Sequence, residues 1–208
     1  MEQFDAQQEL AFIKKVMADS RRVTAENGLD YIVWGVIVAL GLFGTYALDR
    51  LHATEWAIGG WIFLALWIAV MGGGWAFSLI RYLRYQRRAH VHTLAGRMLG
   101  SIWLACGIAI MMFIFIGGPT KLNDPSPVIA TVLGMGFFLS GILLGSLPLK
   151  VASICWWLGA VVMFFNRTYP HIQLLIFGSM MVLFQIVPGV ILYRKWNQTA
   201  NDIDTPRT

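Results

Sequence analysis

Four histidines, two cysteines and eleven acidic residues are the side chains from which this sequence could build an active site. His90 and His92 form a His-x-His pair, but they follow Arg81, Arg84, Arg87 and Arg88 and precede Arg97. Two imidazoles beside arginines make a poor metal site, because a zinc centre wants three or four ligands and a cation gains nothing from cationic neighbours. His52, His171, Asp49 and Asp124 come from three separate loops and share no motif. Cys106 and Cys155 both lie inside apolar runs, where cysteine acts as a small hydrophobe and not as half of a disulfide or metal pair.

The acidic residues lie outside the long apolar blocks or at their edges, and no Lys, Arg or His falls near a block centre. An ionisable group deep in a membrane is costly and marks an ion path, relay or counter-ion. Proton-coupled transport, intramembrane metalloproteolysis, di-metal hydrolysis and b-type haem binding therefore lack their parts. The sequence predicts no catalytic residue, no metal ligand and no cofactor, and its reading is non-enzymatic. A lipid-modifying enzyme would have to draw on Asp30, Asp49, Glu55 or the histidines, none of which is arranged as an acid, base or nucleophile.

Milder polar groups do occur inside the blocks: Thr45, Ser101, Thr131, Ser140, Ser153, Ser179 and Gln185. Gln185 is the most polar, and a buried amide there is expected to hydrogen-bond a neighbouring helix or its own backbone. Two irregularities accompany it. Gly72-Gly73-Gly74 interrupts the second block, and Pro188-Gly189 interrupts the sixth, where proline withholds a backbone donor. Arg81 follows Gly72 by about 13 Å of helix and Arg194 follows Pro188 by about 9 Å, so both breaks lie at similar depth. They are read as hinges or helix breaks, with close packing as the plainer account. Gly96-x-x-x-Gly100 and Gly141-x-x-x-Gly145 have the spacing of small-residue helix contacts.

The elements that position these groups are membrane helices. The chain is 57% hydrophobic and 13% charged. Its apolar residues come in blocks, not in alternation, and each block approaches the roughly 20 residues that span a bilayer. The expected spans are Tyr31–Leu48, Trp56–Ile80, Met98–Ile116, Pro127–Gly145, Leu149–Phe165 and Ile172–Tyr193, with Trp and Tyr at the block ends read as interfacial belts. The fold class is an all-α integral membrane protein, a six-transmembrane-helix bundle preceded by an N-terminal amphipathic helix. Residues 1–28 form that interfacial helix, 29–195 the transmembrane domain and 196–208 a disordered tail. The N-terminus lacks the basic start and apolar core of a signal peptide and is expected to be retained.

Orientation follows from charge. With the N-terminus inside, Lys14, Lys15, Arg21, Arg22, Arg81, Arg84, Arg87, Arg88, Arg97, Lys150, Arg194, Lys195 and Arg207 share one face, and Arg50, Lys121 and Arg167 the other. Basic residues collect on the cytoplasmic side, so both termini are expected there. The net charge of +5 thus points to anionic lipid headgroups and not to nucleic acid. Arg81, Arg84 and Arg88 fall on one helical face, with Arg87 beside them, as a possible lipid or partner contact.

The stretch from Phe12 to Gly35, with its Ser20-Arg21-Arg22 segment, Asn27-Gly28 turn and Tyr31-x-x-Trp34-Gly35 span start, resembles the opening of uncharacterised prokaryotic multi-pass membrane proteins. The resemblance implies a bacterial-type inner membrane, and it carries no activity or site residue. The expected function is an accessory, sensory or regulatory subunit working through a basic cytoplasmic face, with lipids and a protein partner or a second copy as its contacts. The alternative is a small transporter or channel component for a neutral or lipid-like substrate.

Overall fold

A computed structural model of the chain describes residues 28–51, 60–86, 94–117, 125–166 and 170–204. The expected N-terminal helix falls outside them, as do Arg87, Arg88, His90 and His92. The described residues are helical apart from short turns, and no strand occurs among them. In chain order the helices are α1 (Gly28–Leu51), α2 (Gly60–Gln86), α3 (Leu94–Gly117), α4 (Ser126–Leu143), α5 (Leu147–Phe165) and α6 (Pro170–Met181). A π-helical turn over Val182–Ile186 then joins α6 to α7 (Val187–Asp204) in one continuous rod.

Six helical stretches are long and apolar enough to cross a membrane: Gly28–Leu51, Trp61–Arg81, Gly96–Ile114, Ser126–Leu143, Leu147–Phe165 and His171–Lys195. This is consistent with a multi-pass membrane protein. Two boundaries differ from expectation for physical reasons. The fourth span stops at Leu143, before Gly145. The last helix runs on to Asp204, so Trp196–Asp204 is helical where a disordered tail was expected. Once a long span has nucleated a helix, each added residue closes one hydrogen bond without a new nucleation cost.

Proline and glycine set the ends of the central hairpin. Pro127 and Pro148 sit in the first turns of α4 and α5, where a missing N–H leaves no bond unmade. Between them Gly145 takes a φ of 60°, the left-handed region that favours glycine. The Ser146 N–H donates to the Gly141 carbonyl at 2.9 Å and the Gly145 N–H to the Ile142 carbonyl at 3.2 Å. That pair of bonds is the Schellman motif, and it satisfies carbonyls the helix end would leave over.

A line of aromatic rings crosses the bundle. Tyr31 of α1 meets Phe137 of α4 at 5.1 Å between centroids and Trp103 of α3 at 5.5 Å. Phe137 stacks on Trp156 of α5 at 6.2 Å, and Trp156 meets Phe177 of α6 edge-on at 5.7 Å. Tyr31 is buried, not interfacial. Its hydroxyl accepts from Trp103 Nε1 at 3.3 Å and also hydrogen-bonds Ser140. Ser140 in turn donates to the Gly136 carbonyl at 2.6 Å. Buried Tyr and Trp need such partners, and this chain of bonds supplies them across three helices.

Burial is uneven. Half of the α4 span is buried, against 6% of the α2 span. The apolar face of α2 bearing Trp61, Leu64, Ile68 and Trp75 is exposed, as a lipid-facing surface would be. Helix α2 is fixed to α1 by polar contacts: Trp34 Nε1 donates to Ser78 Oγ at 3.0 Å and Trp67 Nε1 to Thr45 Oγ1 at 3.1 Å. Trp34 is thereby a packing residue and not part of an interfacial belt.

Candidate functional site

The start of α1 crosses the last rod at the π-helical turn. At Gly28 an added Cβ would fall 2.9 Å from the Tyr193 backbone nitrogen and 3.0 Å from the Gly189 carbonyl oxygen. At Gly189 it would fall 2.9 Å from the Gly28 carbonyl oxygen. The two backbones touch here, and only residues without a side chain allow it. Two turns deeper, a Cβ at Gly35 would lie 2.6 Å from Ile186 Cγ1 and 3.3 Å from Gln185 Cγ. Glycine spacing along α1 thus selects where the last rod lies.

The π turn has a chemical origin. The Val187 N–H reaches back five residues to the Val182 carbonyl, and the next residue, Pro188, has no N–H to give. The ring of Pro188 would also press on the carbonyl four residues earlier, and a wider turn relieves that contact. Pro188 and Gly189 were singled out from sequence as a break, and the rod does depart from α-helical geometry just before them. Gln185 lies inside this turn at 5% exposure, and its Oε1 has no hydrogen-bond partner.

The glycine triplet behaves differently. Helix α2 is unbroken from Gly60 to Gln86. Gly72 and Gly73 face open space, and Gly74 receives the indole of Trp34. The triplet is a packing feature on one side and bare surface on the other, with no change of helix type at its position.

At the mouth of the crossing, Arg81 Nη1 of α2 lies 3.0 Å from Asp30 Oδ1 of α1. Arg84, one turn further, is exposed. The structure brings Arg81, Asp30, Gly28 and Gly189 to one end of the bundle, where Arg194 and Lys195 are exposed as well. Lys150 opens α5 at this end, its Cγ close against Gly141 of α4. No group of three or more His, Cys, Asp or Glu that could hold a metal ion occurs among the described residues, and Cys106 and Cys155 are free.

Sequence reasoning missed Gln173. It is 1% exposed, and its Nε2 donates to the Met163 carbonyl at 3.2 Å and the Asn166 carbonyl at 3.1 Å. These carbonyls lie at the end of α5, where the helix's own donors run out; that of Met163 also accepts from the Asn166 N–H at 3.2 Å. A glutamine at the second position of the sixth apolar block was the available signal. Comparison of the chain with family models, curated proteins and solved structures returned no match.

Proposed function

We propose that this chain is a non-enzymatic, six-span accessory or regulatory membrane protein that works through its basic end. One observation carries the reading. The Asp30–Arg81 pair and the Gly28–Gly189 backbone contact join the start of α1, the end of α2 and the last rod at the end that carries Arg81, Arg84, Arg194 and Lys195. The segment before Gly28 therefore enters the bundle beside its most tightly constrained crossing. A partner that pulls on or presses against that segment acts directly on α1, which touches α2, α3, α4 and the last rod. On the charge bias the basic end faces the cytoplasm of a bacterial-type inner membrane, with anionic headgroups around Arg81, Arg84, Arg87 and Arg88.

Deleting residues 1–26 tests the proposal. Full-length and shortened proteins would be purified from native membranes with their lipids retained, and their co-purifying proteins compared. The expected result is normal insertion with loss of a specific partner. Retention of every partner and of cellular function by the shortened protein would overturn it.

A second reading, a small transporter component for a neutral solute, draws on the π turn and the unpartnered Gln185 Oε1. Flux of small neutral solutes into liposomes containing the purified protein would favour it over the first.

A further inference from the structure

The π turn of the last rod is short of hydrogen-bond donors in two independent ways. Pro188 gives no N–H, so the backbone ladder lacks one donor at Leu183 in the π register or at Phe184 in the α register. Gln185 Oε1, in the same turn, is buried and unpartnered. A buried acceptor left unmade costs on the order of 1–3 kcal/mol, and here the donor that the proline withholds is missing from the same turn. Both acceptors are neutral oxygens. Among the described residues no charged side chain is buried, so a full cation here would lack a counter-charge and would be expelled by the low dielectric. The guest that fits is neutral and carries at least two donor hydrogens. The close approach of α1 at Gly35, where even a Cβ would meet Ile186 and Gln185, restricts it to a small one.

We propose that the π turn at Val182–Ile186 is a binding site for a small neutral double hydrogen-bond donor, held by Gln185 Oε1 and the carbonyl that Pro188 leaves free. Two sources share this chemistry: an internal water, and the amide NH2 of a small solute. The guest completes the ladder that the proline interrupts, which keeps the rod continuous through mid-span. The proposal extends beyond the partner-binding role and does not depend on it.

The test is solid-state NMR of the full chain in phosphatidylcholine–phosphatidylglycerol liposomes, with glutamine labelled with 13C and 15N. Gln185→Met, similar in length but without the amide, assigns the Gln185 side-chain signal by its disappearance. In the native chain that signal should show magnetisation transfer from water, from added acetamide, or from both. N,N-dimethylacetamide, which has no N–H, should neither replace the water signal nor shift the Gln185 carbonyl. A water signal that acetamide does not displace identifies the guest as water. Displacement by acetamide alone identifies a solute site. Pro188→Ala restores the missing N–H and should abolish the transfer, with the Gln185 carbonyl shifting accordingly. No transfer from either guest in the native chain would overturn the proposal. So would equal displacement by both amides, or an unchanged signal in a folded Pro188→Ala.

Discussion

Gln173 closes the α5–α6 corner by donating to two carbonyls at the end of the preceding helix. Replacing it with Leu keeps the volume and removes both bonds, so stability should fall by about 1 kcal/mol, in line with hydrogen bonds measured between membrane helices. Thermal unfolding in lipid nanodiscs would show it as a lower midpoint. Gly145 supports a second expectation. Its left-handed φ penalises any Cβ, so Gly145→Ala should cost about 1–2 kcal/mol by the same measurement. A substitution at Gly100, which has open space around it, should cost little. The two glycines looked alike in sequence. Each closes a Gly-x-x-x-Gly pair, and that spacing does not distinguish a helix contact from a helix end. Gln173 was invisible for a related reason: its value lies in carbonyls that come within its reach only once α5 ends at Phe165. Gln185, by contrast, could be found by elimination, since it is the most polar group near the middle of an apolar block. Its unmade bond could not be found that way, because the width of a turn depends on the proline two positions beyond and on the helix that crosses it.

At the level of elements, hydropathy alone located the six spans, since block length and block character are local properties. Which helix stands beside which was not legible. The first and last spans meet through Gly28, Gly35 and Gly189, separated by more than a hundred residues, and no periodic signal links positions that far apart. Helix α2 shows how little area can suffice to place an element. It is held on α1 by two indole hydrogen bonds, by the seat of Trp34 on Gly74 and by the Asp30–Arg81 pair. Asp30 and Arg81 are 41% and 24% exposed, so their coupling should resemble that of a solvent-accessible pair, about 0.5–1 kcal/mol. A double-mutant cycle with Asp30→Asn and Arg81→Gln would measure it. Raised salt should shrink the coupling, whereas the Trp67–Thr45 bond, away from the mouth, should be insensitive to it.

For the whole molecule, orientation is the property that the functional reading rests on. The geometry joins the start of α1, the end of α2 and the last rod at one end of the bundle, so an even number of spans separates the start of α1 from the end of α7. The sidedness we propose rests on charge: thirteen basic residues against three, a bias expected from the cost of moving Lys and Arg across a bilayer during insertion. Lys195 and Asn166 are both exposed and belong to opposite ends. In a Cys106→Ala, Cys155→Ala background, Lys195→Cys should react with a membrane-impermeant maleimide only when the cytoplasmic face is open. Asn166→Cys should react in intact spheroplasts. Reversing Arg81, Arg84, Arg87 and Arg88 to Glu removes four of the five arginines that flank the second and third spans on the basic side. It should leave a mixture of orientations, read as partial labelling of both positions from each side. Unchanged labelling would mean that the ends of the chain, not the central loop, fix the orientation. The basic loop would then be available as a contact surface without also serving as the anchor, because residues that set topology are poorly placed to vary for a partner.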